Sequence, residues 1–181
     1  LREAPFDVLV EATGNPSAGT AAARAAVESG RHVVMVSKEV DSVAGVALGS
    51  LAEQHGVVYT PGLGDQPANL VEWFERAEFL GLDIVAIGKS GEYDLVLDPA
   101  TGLVTHLDQR IEAPELGRLL TLGEDVPATL AARSRAVAGI RRSAAADHCE
   151  MAVVANWTGL APDVESLHYP VVRPAELADV Y

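Results

Sequence analysis

The chain has 181 residues, 49% of them hydrophobic and 22% charged, enough apolar surface to bury one good core, or one core and a small appended lobe. Thirteen basic against 26 acidic residues give a formal charge of -13, which repels a polyphosphate backbone and argues against a nucleic-acid partner. The longest apolar runs, such as VVMV and MAVVA, fall far short of the roughly 20 residues that cross a bilayer, and no basic segment followed by an apolar one opens the chain. With a single cysteine, Cys149, which reads as a small buried hydrophobe, these features predict a cytoplasmic protein with no membrane partner.

In chain order, the first run, Val8 to Val10, ends in small and polar residues, as a buried parallel strand does when a loop leaves its carboxyl end. A helix is predicted over 17–29, with Asn15 or Ser17 as cap and Ala18, Ala21, Ala22, Ala25 and Ala26 as a small-residue face. A second strand follows over 32–37. The next helix, about 42–55, presents Val43, Val46, Ala47 and Leu51, and VVYT forms a third strand. Alternation at this spacing predicts parallel pairing through crossover helices. After PGLGDQP a helix over about 67–80 carries Leu70, Phe74, Ala77 and Leu80, and feeds a predicted strand LDIVAIG. From residue 89 the character changes: LVLDPATGLVTHL reads as two strands joined by a Pro-Gly turn, helices are expected over 127–138 and 146–158, and the tail beyond Pro162 reads as irregular. The second of these helices presents Val153, Val154 and Trp157 as its packing stripe. The fold class expected is α/β, with a parallel-sheet unit over 1–88 and an α+β lobe over 89–181.

In an open parallel sheet, ligands bind beyond the carboxyl ends of the strands, and three strand ends here deliver EATGNP, SKEVD and PGLGDQP to one edge. Thr13 offers a hydroxyl, and Gly14, Gly62 and Gly64 a close backbone approach. Lys38 is the cation of these loops. Asp65 orients a substrate hydroxyl or accepts a proton, or else caps the helix that follows. No GxGxxG phosphate loop is present, since GLGDQP lacks the third glycine. Asp147, His148 and Glu150 diverge along one helix, and only Asp147 and Glu150 can share a face, so no metal site is expected.

DVLVEATGNP, GRHVVMVSKEVD, HGVVYTPGLGDQP and CEMAVVANWTGLAPDV together resemble homoserine-dehydrogenase-like oxidoreductases. The resemblance is greatest to predicted homoserine dehydrogenases with a C-terminal SAF domain, in a group that includes deoxyxylulose-phosphate reductoisomerase-like enzymes. It implies the second half of a Rossmann-type parallel sheet continued by an α+β catalytic and dimerisation lobe, with the glycine-rich loop upstream of this stretch and the SAF domain downstream. It implies NAD or NADP as cofactor, a small-molecule substrate and a homo-oligomer. Ala12, Thr13, Gly14, Asn15, Ser37, Gly62 and Gly64 are then expected near the cofactor, and Lys38, Asp65, Lys89 and Glu150 in the catalytic centre. The family's acidic-Gly-small-Lys run is here SAAADH, with Ala146 at the lysine position, and the stretch after Lys89 lacks an Asn-rich continuation. A binding or assembly module that kept the fold and lost the chemistry is the competing expectation.

Overall fold

A computed structural model describes residues 5–162 and 164–181. The chain is mixed α/β and divides into two compact units, one of Leu1–Lys89 with Ala145–Ser166 and one of Ser90–Ala144 with Leu167–Tyr181. The second lobe is therefore not the continuous stretch expected from residue 89 onward. The helix near 150 belongs to the first unit because it packs on two of that unit's helices. Among the described residues, no helix is long and apolar enough to cross a membrane.

The first unit holds three parallel strands, β1 (Val8–Glu11), β2 (His32–Met35) and β3 (Tyr59–Pro61), ordered β1-β2-β3. Val10 is in register with Val34, and Met35 with Pro61. Helices α1 (Pro16–Glu28) and α2 (Lys38–Gln54) link them, and Ala23, Ala26, Val27, Val33, Met35, Val40 and Leu48 form the core. Strand alternation sends Leu9, Val33 and Met35 into that core and leaves Val8 and Val10 exposed. Helix α3 (Gln66–Phe79) and helix α5 (Ala145–Thr158) complete the unit, α5 packing on α2 and α3.

Several expected faces are rotated. Helix α1 turns Gly19, Ala23, Ala26 and Val27 inward, so Ala18 and Ala21 lie outside. Gly19 has no room for a Cβ, which would stand 2.5 Å from Val40 and 2.8 Å from the Glu11 carboxyl carbon. Helix α2 begins four residues earlier than expected and buries Val40, Asp41, Gly45, Leu48 and Ala52, while Val43 is 71% and Val46 60% exposed. The inward face carries a carboxylate and a glycine, which a search for apolar spacing rejects; here the carboxylate finds hydrogen-bond donors and the glycine gives it room. Helix α3 buries Pro67, Ala68 and Val71 and leaves Leu80 exposed. On α5, Val153 and Val154 are buried as the predicted stripe requires, and Trp157 stacks on Tyr59.

LDIVAIG is not a strand: it pairs with neither sheet, and Val85 is 82% exposed. Apolar β-branched composition suits a strand, but only a partner's backbone makes one.

The second unit is built on an antiparallel sheet, β4 (Val96–Asp98), β5 (Leu103–His106) and β6 (Gln109–Glu112). The turn after β4 is held by Asp98, whose carboxylate accepts from Ala100 N and Thr101 Oγ1. Strand β6 went unforeseen because Leu107 and Asp108 make its turn, with Leu107 at φ 56°, where Asn or Gly is the usual signal. Helix α4 (Val126–Ala136) is capped by Asp125, and its Arg133 is buried. The tail is not merely irregular. A 3₁₀ turn, Pro174–Glu176, and the short α6 (Leu177–Val180) follow it, and the buried Glu176 takes a bidentate pair from Arg133 at 2.8 and 2.9 Å.

Candidate functional site

The loop after β1 is shaped from beneath by Glu11, a carboxylate that ends an apolar strand and is buried against Gly19. Glu11 Oε1 accepts from Thr13 N at 2.9 Å, and the buried Ser37 Oγ accepts from Gly14 N at 2.8 Å. Asn15 N donates to Thr13 Oγ1, and Asn15 Oδ1 caps α1 by accepting from Ala18 N. Burial pushes the Glu11 carboxyl upward, but its hydrogen bonds to Ser37 and Thr13 outweigh that and hold it below the ordinary range. It stays a carboxylate and fixes the loop.

This geometry bears on the expected cofactor residues. Ala12, Thr13, Gly14 and Asn15 are exposed. Gly14 has φ 65° and open space where a Cβ would project, so a flat group can lie against its backbone. The N–H groups of Thr13, Gly14, Asn15 and Ala18 are already spent on internal acceptors. With these groups turned inward, the loop does not make a pyrophosphate cradle of them, which would need them turned outward. Ser37 supports the loop from below and is buried rather than presented to a ligand. Gly62 donates its N–H to Met35 O at 2.8 Å, and a Cβ there would meet Val36 at 3.1 Å; Gly64 sits exposed in the left-handed region at φ 101°.

Lys38 opens α2, just past the end of β2. Its ammonium donates to Oε1 of Glu150 on α5, and the Lys89 ammonium donates to Oε2 of the same carboxylate. Lys89 also donates to Asp147 Oδ1 at 2.6 Å. Glu150 is fully buried. The sequence contains two lysines, and both meet on this one side chain. They differ in access: the Lys38 side chain is 23% exposed, that of Lys89 9%. Burial works against the charge on Lys89, but its bonds to Asp147 and Glu150 prevail and hold its pKa above the ordinary lysine value. Asp147 and Glu150 share a face three residues apart, as the helix period requires. The Lys89 ammonium bonds to both, so a cation site built on these two carboxylates would have to displace it.

Asp65 N-caps α3 through Gln66 N at 2.9 Å, the capping alternative. It also borders a cavity of about 10 Å³ beside Lys38, Asp41, Pro61 and Val153, room for about one water. Asp65 is thus near the lysine and outside its ion cluster. A larger but shallow hollow runs along the outer face of α1, past Thr20, Arg24 and Glu28.

Sequence reasoning brought Lys38, Lys89 and Glu150 forward separately and missed what joins them to their surroundings. Asp41, buried on α2, accepts from Tyr59 OH at 2.7 Å and from Trp157 Nε1 at 3.4 Å. Burial raises the Asp41 pKa, and these two donors pull the other way. Tyr59 is raised in turn, by burial and by the Asp41 charge. The signal available in the sequence was Asp41 four residues before Gly45, a carboxylate and its clearance on one helix face. Neither a protein-family model nor a curated protein matches the chain.

Proposed function

We propose that the chain forms part of an NAD(P)-dependent oxidoreductase of the homoserine-dehydrogenase-like kind, acting on a small polar hydroxy compound, phosphorylated or not. The observation that carries this reading is the pairing of both lysines with one fully buried carboxylate, Glu150, at the carboxyl edge of a parallel sheet. The resemblance of the strand-end segments supplies the family, and the second half of a Rossmann-type sheet is the fold that goes with it.

Interconverting an alcohol and a carbonyl builds and removes negative charge on one oxygen. A bound nicotinamide would supply or accept the hydride. Lys38, the more exposed lysine, is assigned to that oxygen: its ammonium stabilises the charge and holds a proton at Nζ that the oxygen can share. Glu150 fixes the direction of Lys38, and Lys89 with Asp147 fixes Glu150. Preorganised in this way, the ammonium does not have to be aligned during the reaction. The exposed backbone of Thr13 and Gly14 is the surface assigned to the nicotinamide ribose.

The non-catalytic module has one observation in its favour: both oxygens of Glu150 are engaged by lysines and the adjoining cavity has room for only about one water, so the cluster is also a complete structural unit. Titrating the intact protein with NADH and with NADPH, followed by nicotinamide fluorescence, separates the two. Saturable binding of either is expected; binding of neither overturns the oxidoreductase reading.

A further inference from the structure

We infer that Asp41 is a positioning residue, which holds α5 in register on α2 through Tyr59 and Trp157 and thereby sets Glu150 against Lys38. The inference rests on the proposed role of Lys38. Asp41 lies one turn beyond Lys38 on α2, and Trp157 two turns beyond Glu150 on α5, so the two helices are joined at two levels. A third tie, from Asn156 Nδ2 to Ser42 O at 3.2 Å, accompanies the second level.

The Asp41 junction is built rather than incidental. The residue is 2% exposed, and each carboxylate oxygen takes a donor from a different element, Tyr59 of β3 and Trp157 of α5. The two donor rings stack with centroids 6.2 Å apart and planes 7° apart, so β3 and α5 also grip each other. Gly45 clears the space, since a Cβ there would stand 2.1 Å from Asp41 Oδ1. Indole N–H can only donate, so the Trp157 bond asks for an acceptor on Asp41. A buried carboxylate that costs desolvation is an unusual way to pack a helix if packing alone is served. Its neighbours explain it: α5 also carries Glu150 and Asp147, the acceptors of both lysines, and a sliding of α5 on α2 would pull Glu150 off Lys38.

The test uses the fact that the sequence has two lysines. Lysine labelled with nitrogen-15 gives one ammonium signal for Lys38 and one for Lys89, assigned with Lys38→Arg and Lys89→Arg. Asp41→Ala, Asp41→Asn, Tyr59→Phe and Trp157→Phe are compared with the parent protein after circular dichroism shows each folded. Trp157→Phe keeps a ring and removes the N–H, so it reports even where Asp41→Ala does not fold. The expected result is a displaced Lys38 signal whose ammonium protons exchange with water about tenfold faster or more, the scale of losing one hydrogen bond to a charged group. Folded Asp41→Ala or Trp157→Phe protein with an unmoved Lys38 signal overturns the inference. The readout needs no nicotinamide: failure to bind NADH and NADPH, with Lys38 displaced as expected, would remove the oxidoreductase reading and leave the positioning role standing.

Discussion

At Gly45 the absence of one carbon matters more than any apolar contact nearby. A Cβ would lie 2.1 Å from Asp41 Oδ1 and 3.0 Å from its Cγ, and Asp41 cannot swing aside without leaving Tyr59 and Trp157. Gly45→Ala is therefore expected to destabilise by about 1–3 kcal/mol, the usual cost of overpacking. Gly49, one turn later on the same helix, would place its Cβ 3.9 Å from Tyr59, an ordinary contact. There Gly→Ala should stabilise by about 0.5–1 kcal/mol, because alanine is the better helix former. Urea unfolding of the two variants checks both signs, and equal effects would deny Asp41 its fixed place. Lys38 and the acidic segment near 150 were legible in the sequence because a lone cation among strand-end loops stands out. The Asp41 junction was not, because a buried acid becomes acceptable only when its donors arrive from β3 and α5, elements distant in sequence.

Between elements, the tail of the second unit is tied to α4 by one ionic knot. Arg133 is buried, donates to Leu119 O, Leu120 O and Val171 O, and grips both oxygens of Glu176, which Arg173 also contacts. Arg133 and Arg173 hold the Glu176 carboxyl well below its ordinary range, against the upward push of burial. A lowered folded pKa means that the unfolded chain binds the proton more readily. The stabilisation is then complete above the ordinary glutamate value of about 4.3 and is lost as pH falls below it. Arg133→Met should cost about 3–5 kcal/mol at neutral pH, as breaking a buried pair does, and should flatten the acid limb of the stability curve. Thermal unfolding of both proteins from neutral to acidic pH measures this; an unchanged acid limb would assign the acid sensitivity to other carboxylates. The alternating strands and helices of the first unit were readable from periodicity. This knot was not, since Arg133 in a polar helix and Glu176 in a proline-rich tail look like surface residues until the fold joins them. LDIVAIG failed in the opposite sense: its composition is that of a strand, and the backbone partner that composition cannot supply is missing from both sheets.

For the molecule as a whole, β1 pairs on one side only among the described residues, with β2, and the sheet face away from α1 and α2 leaves Val8, Val10 and Val58 exposed. Parallel sheets are ordinarily covered on both faces, and an apolar edge strand invites pairing with another chain. Self-association is the expected outcome, with light scattering giving a mass above the 19.0 kDa of one chain and Val10→Lys lowering it. A monomer at high concentration would count against the homo-oligomer that the resemblance implies. The central proposal, that Lys38 stabilises charge on a reacting oxygen, is tested most directly by the turnover of Lys38→Met protein that still folds and still binds nicotinamide. Turnover about 100-fold lower or more is predicted, the scale of losing one electrostatic contact to the transition state; turnover within a few-fold of the parent would make the Lys38–Glu150–Lys89 cluster a structural one and contradict the proposal.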